Sequence, residues 1–137
     1  MIAAIDTNIL LDFLLSPEDS GAPAKKLLEI YNEKGRLAIC DIVYAELVYS
    51  FDEESELRSF LDRTHILRSP ASESTLFLAG RFWKDYLDRR PPGSLRRHII
   101  PDFIIGAHAL RQADILLTRD RGFYRSYFKD LEIASPA

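Results

Sequence analysis

Short apolar runs separated by helical patterns constrain this chain more than any other feature. Ile2–Ile5, Leu37–Cys40 and Ile115–Thr118 are each too short for a buried helix and read as buried strands. His65–Leu67 and Leu131–Ala134 add two weaker candidates, giving about five strands. Between them the sequence predicts helices over Ile9–Leu15 and Ala22–Lys34, the second stopped by Gly35. Asp41 is placed to cap a helix over Ile42–Phe51 with Val43, Leu47 and Phe51 inward, and the acidic stretch Asp52–Glu56 opens another to about Asp62. Ser72–Arg89 follows, with Leu76, Ala79, Phe82 and Leu87 at helical spacing. Strands alternating with helices imply a parallel sheet wrapped on both sides. In such sheets the ligand crevice lies beyond the carboxyl ends of the strands.

The segment Ile99–Leu110 sharpens the picture. Pro101 suits a first helical turn. Gly106 permits close approach of another backbone, and the rest is almost wholly apolar apart from Asp102. A carboxylate in that setting is costly unless something pairs with it. Asp6 and Asp120 directly follow predicted strands. Glu46 and Asp102 are read in first turns of helices that reach the same edge. Four acids from distant parts of the chain thus converge on one rim.

Clustered carboxylates raise one another's pKa and destabilise the fold unless a cation intervenes. With oxygen donors alone, the favoured ion is Mg²⁺ or Mn²⁺. Such a site activates water and stabilises charge on a phosphoryl group, which points to phosphodiester hydrolysis without a nucleophilic side chain. No Cys–His pair or nucleophile elbow competes with that reading.

Composition narrows the class. A chain of 137 residues fits one domain, 1–137, and 47% hydrophobic residues argue against disorder. No apolar run approaches the roughly 20 residues of a membrane span. The N-terminus lacks the basic region of a signal peptide, and the single cysteine excludes an internal disulfide. A cytoplasmic protein with no membrane partner is expected. The net charge of −3 alone disfavours a polyanion. It is unevenly spread: residues 1–68 carry 13 acids and 7 bases, residues 69–137 carry 8 acids and 11 bases. Arg96, Arg97 and Arg119 are candidates to hold phosphates beside the site, against the plain alternative of solvated surface charge.

Asp6-Thr7-Asn8-Ile9-Leu10, Glu46-Leu47, Pro101-Asp102-Phe103-Ile104-Ile105-Gly106-Ala107-His108-Ala109 and Leu117-Thr118-Arg119-Asp120-Arg121-Gly122-Phe123-Tyr124, in that order, resemble PIN-domain proteins over nearly the whole chain. They look most like the toxins of VapC type. The resemblance implies a three-layer α/β/α fold and a Mg²⁺- or Mn²⁺-dependent endoribonuclease, inhibited by a cognate antitoxin and often homodimeric. It puts Asp6, Glu46, Asp102 and Asp120 on the family's acidic positions, as catalytic residues and metal ligands. Thr118 falls on its hydroxyl position, and Asn8 on the polar residue supporting the first Asp. Where members often carry Gly four residues after the helix Glu, this chain has Ser50.

Each acid also has a structural reading: Asp6 as a helix cap, Glu46 as an exposed helix acid, Asp102 as a first-turn acid, Asp120 as a turn residue. His108 reads as core rather than ligand. Tyr124, Tyr127 and Phe128 are packing residues or a platform for bases. An RNA-processing nuclease outside a toxin–antitoxin pair and a non-catalytic RNA- or protein-binding PIN module are the alternatives. A phosphoryl-accepting receiver domain is disfavoured because Lys129 is the only lysine near its required position.

Overall fold

A computed structural model of the chain describes residues 1–94 and 99–137. In chain order the elements are β1 (Ile2–Ile5), α1 (Thr7–Leu15), α2 (Gly21–Lys34), β2 (Arg36–Ile39), α3 (Asp41–Leu47), a 3-10 turn (Val48–Ser50), α4 (Glu54–Arg63) and β3 (Ile66–Arg68). They continue with α5 (Glu73–Arg89), α6 (Ile100–Gln112), β4 (Ile115–Leu117), α7 (Arg121–Tyr127) and β5 (Ile133–Ala134). The five strands form one sheet in the order β3-β2-β1-β4-β5, and every neighbouring pair is parallel. Helices flank this sheet, giving the expected α/β/α layering.

The strand order reverses between β1 and β4. Chain progression runs outward through β2 and β3 on one side and through β5 on the other, so this is the crevice where ligands bind in open α/β sheets. The register Ile5↔Leu117 ends the two strands level with each other. Whatever residues come next must therefore face one another across the crevice.

Ala3, Ala4, Ile5, Leu37, Ile39, Leu116 and Leu117 are buried, which explains why these strands read as continuous apolar runs. An aromatic cluster fastens α5, α6 and α7 together: Phe103 packs against Trp83, Tyr86 and Phe123 with ring centroids 5.2–5.5 Å apart.

Several local expectations change. Helix Ile42–Phe51 is interrupted: the α-helix stops at Leu47 and tightens to a 3-10 turn, with Val43 and Leu47 buried and Phe51 half-buried. Asp41 does not cap α3. Cys40 holds the N-cap position, and the Asp41 carboxylate accepts instead from the Ala71 N–H at 3.3 Å, joining α3 to the segment after β3. Gly106 makes room for a side chain, not a backbone, since a Cβ there would lie 2.5 Å from the Phe128 ring. Gly35 is the position that admits a backbone: a Cβ would stand 2.0 Å from the Met1 carbonyl oxygen, where β2 starts beside β1.

Candidate functional site

The level ends of β1 and β4 build the site. The Asp6 N–H donates to the Leu117 carbonyl at 2.9 Å, carrying the sheet one residue past β1. Asp6 occupies the N-cap position of α1 but makes no side-chain capping bond. Its Oδ2 accepts instead from the Thr118 hydroxyl at 2.7 Å and from Asn8 Nδ2 at 3.3 Å. Asn8 also donates to Thr118 Oγ1 at 3.4 Å and accepts the Arg119 N–H at 3.2 Å. Thr118 Oγ1 accepts the Asp120 N–H at 3.0 Å. One fully buried hydroxyl thus fixes Asp6, Asn8 and the start of the turn to α7.

Asp6 is only 7% exposed. Burial pushes its carboxyl up to about 6, against the lowering effect of bonds from Thr118, Tyr124 and the Thr7 backbone, and the nearby charge of Asp102 raises it further. Tyr124 is buried at 1% exposure. Desolvation drives its phenol well above the ordinary value, reinforced by the charges of Asp6, Asp102 and Asp120. Three acids therefore act on one buried hydroxyl. Sequence reasoning did not assign Tyr124 to the site. Its signal was the spacing Asp120…Tyr124, four residues apart and hence on one face of a helix.

The other acids are differently placed. Asp102 is half-buried rather than sealed in the apolar segment, so of the four candidate acids the buried one is Asp6. Asp102 Oδ2 accepts the Ile99 N–H at 3.2 Å at the start of α6. Asp120 is exposed at the N-cap of α7, accepting the Phe123 N–H at 3.4 Å. Glu46 is exposed and lies in the last turn of α3, not the first. Its Oε1 accepts the Thr7 hydroxyl at 2.7 Å, tying it to the residue beside Asp6.

Among the described residues, no three Asp, Glu, His or Cys side chains gather closely enough to enclose a metal ion by themselves. The donor chemistry nevertheless fits a hard divalent cation. Asp6 is a buried carboxylate bonded only to neutral donors, with a second acid adding to its cost and no cation among the described residues paired with it. Mg²⁺ is commonly held by one or two carboxylates with several waters retained, a requirement weaker than a closed cage.

Of the candidate phosphate contacts, Arg96 and Arg97 lie outside the described residues. Arg119 is engaged by Asp12: its Nε and Nη2 donate to the two carboxylate oxygens at 2.5 and 3.2 Å. The aromatic run is packing. Tyr124 and Phe128 are buried, and Tyr127 meets the Tyr86 ring edge-on at 5.4 Å. His108 is buried in α6, where desolvation holds its pKa below the usual value despite a bond to the Ser69 backbone.

The chain matches the PIN domain family over residues 3–129. Its fold is similar to that of VapBC2 from Rickettsia felis, solved bound to a DNA fragment from its promoter, at 22% identity and a TM-score of 0.74, with all of each chain covered. A toxin–antitoxin complex from Klebsiella pneumoniae is similar over 98% of each chain, at 23% identity and a TM-score of 0.69. Mycobacterium tuberculosis VapC20, described as a toxin cleaving the sarcin–ricin loop, is similar over 90% of this chain and 94% of its own, at 15% identity and a TM-score of 0.59. Comparison with the sequences of curated proteins gives no match. A family match spanning nearly every strand and helix, carried on a parallel sheet whose switch point gathers Asp6, Thr118 and Asp120, makes this chain a member of the PIN-domain family.

Proposed function

We propose that the protein is a Mg²⁺- or Mn²⁺-dependent endoribonuclease that acts as the toxin of a toxin–antitoxin pair. The observation that carries this reading is Asp6: a buried carboxylate at the switch point of the sheet, paired with no cation among the described residues, with Asp102 raising its proton affinity. A protein keeps such a group at a cost to its own stability, and a cation from outside removes that cost. Asp6 and Asp102 would hold the ion, with Asp120 and Glu46 completing the acidic rim. When bound, a divalent cation supplies a nucleophilic water at neutral pH and neutralises charge on the phosphoryl oxygens.

The chain's own groups orient and restrict. The Thr118 hydroxyl and the Asn8 carboxamide both address Asp6 Oδ2, so they fix the plane of that carboxylate. The buried Tyr124 phenol stays protonated beside the acids and so adds no further negative charge to the site. Thr7 keeps Glu46 turned toward the same end of the sheet. Neighbours of the same fold that are described as toxin–antitoxin complexes, and one as an RNA-cleaving toxin, support the substrate class and an antitoxin partner. An apolar pocket lined by Tyr44, Val48, Phe51 and Leu57 and rimmed by Asp52, Glu53 and Glu54 suits a basic, amphipathic antitoxin segment. A homodimer is proposed with it, checked by light scattering of the purified chain.

The test is purified protein against structured and unstructured RNA with Mg²⁺, Mn²⁺ or EDTA, beside Asp6→Asn and Asp102→Asn. Cleavage that needs the metal and disappears in both variants supports the nuclease. Intact RNA under every metal, with Mn²⁺ binding unchanged in the variants, leaves the non-catalytic module as the reading.

A further inference from the structure

Arg119 and Arg121 flank Asp120 and line an open pocket of about 330 Å³ with Asp12, Ser20 and Ser135. Its volume lies in the range that small ligands occupy. Its two cations are in different states. The Arg119 guanidinium is locked by Asp12 through Nε and Nη2. No hydrogen bond among the described residues uses its Nη1, and the side chain remains 53% exposed. Arg121, at the first position of α7, is exposed and takes part in no hydrogen bond or ion pair among the described residues. Two arginines against one aspartate leave these side chains a net positive charge, beside a rim of Asp6, Asp102 and Asp120 that repels a polyanion.

The pocket is also rigidly coupled to that rim. The Arg119 N–H donates to Asn8, whose carboxamide donates to Asp6 Oδ2. Ser135 donates its hydroxyl hydrogen to the Thr118 carbonyl, so the opposite wall is anchored to the same strand end. An RNA strand engaged at the acids needs a cationic surface where its backbone continues, and grooves that take single strands supply one. Arginine suits phosphate because its fork offers several N–H groups to the oxygens.

We propose that this pocket binds a backbone phosphate of the RNA strand, with Arg121 as the contacting cation and the Asp12–Arg119 pair as the fixed wall that presents Arg119 Nη1. This rests on the nuclease reading above. To the candidates Arg96, Arg97 and Arg119 it adds Arg121, the residue on the other side of Asp120.

The experiment measures binding of a labelled single-stranded RNA oligonucleotide by fluorescence anisotropy over a range of salt concentrations. EDTA is present so that no metal-dependent cleavage intervenes. Wild type is set beside Arg121→Glu, Arg121→Lys and, as a control on the same helix, Arg125→Glu. The inference expects Arg121→Glu to weaken binding about tenfold or more and to lower the salt slope by about one phosphate contact. Arg121→Lys retains most of the affinity, and Arg125→Glu changes it less than threefold. Thermal melts of all variants match wild type, because Arg121 and Arg125 are exposed. Equal losses for Arg121→Glu and Arg125→Glu, or none for either, overturn the pocket while RNA binding by wild type stands. Wild type that binds no RNA in EDTA, and still none once Mn²⁺ is restored, removes the substrate class, and the nuclease reading with it.

Discussion

Asp6 and Asp12 stand near opposite ends of one short helix, α1, and both are buried, yet their charges are met differently. Asp12 is 9% exposed and meets Arg119 in a two-pronged ion pair that the fold supplies from 107 residues away. Asp6 is 7% exposed and, among the described residues, meets only neutral donors, with more acid nearby. Asp12 is finished within the chain; Asp6 is not. A buried carboxylate that the fold leaves without a cation marks where an external one belongs, whereas one that the fold pairs marks structure. Burial alone does not distinguish them, and neither does sequence spacing, since both sit on apolar stretches of the same helix.

The largest effect expected to test this contrast is on activity. Asp6→Asn removes the charge without changing shape, and metal-dependent cleavage should fall by more than about 100-fold, because even groups that only support a metal ligand cost 10–100-fold when lost. The Mn²⁺-induced rise in melting temperature should vanish with it. A variant that keeps both would make Asp6 equivalent to Asp12.

Next in size is stability. The folded-state pKa of Asp6, about 6, lies above its ordinary 3.8, so the folded protein binds this proton more tightly than the unfolded chain. Stability from this group is highest at low pH, declines as pH rises from about 4 to about 6, and stays reduced above that. The full shift corresponds to an upper bound of about 3 kcal/mol. In EDTA, Asp6→Asn should therefore be more stable than wild type in urea unfolding at pH 7.5, and the gap should shrink toward pH 5. A gap independent of pH would mean that the stabilisation comes from something other than charge.

Thr118→Val keeps the volume of a strand-end residue and deletes the donor to Asp6. Manganese affinity measured by spin-resonance titration should drop about 10- to 100-fold. The melting temperature should fall as well, since the Asp120 N–H and Asn8 lose a partner. Smallest is Asp12→Asn. Arg119 is half exposed and turns to water, so the loss should be about 1 kcal/mol, with Mn²⁺ affinity unchanged and RNA cleavage lowered only through weaker strand binding, about tenfold at most. A loss of cleavage comparable to that of Asp6→Asn would erase the distinction between the two ends of α1.

Much of this was legible before any coordinates. The apolar runs at Ile2–Ile5, Leu37–Cys40 and Ile115–Thr118, spaced by helical patterns, are local signals that demand a wrapped parallel sheet. They place Asp6 and Asp120 just past strand ends by counting alone. The PIN resemblance and the family match agree over most of the chain. What misled was inference about partners from composition. Asp102 sits in the more apolar sequence yet is half-buried, because it occupies the first turn of α6, at the edge of the core rather than inside it.

The sequence by itself determined the alternation of elements, the strand ends and the order of acids along the chain, because periodicity and capping act over a few residues. Only the tertiary structure decided which acid is sealed, that Asp12 holds one face of Arg119, and that Tyr124 is buried beside the acids. Those outcomes depend on the β1–β4 register, which sets residues more than a hundred positions apart within hydrogen-bond distance. No local pattern encodes that register; it is settled when the two strands pack and their ends fall level.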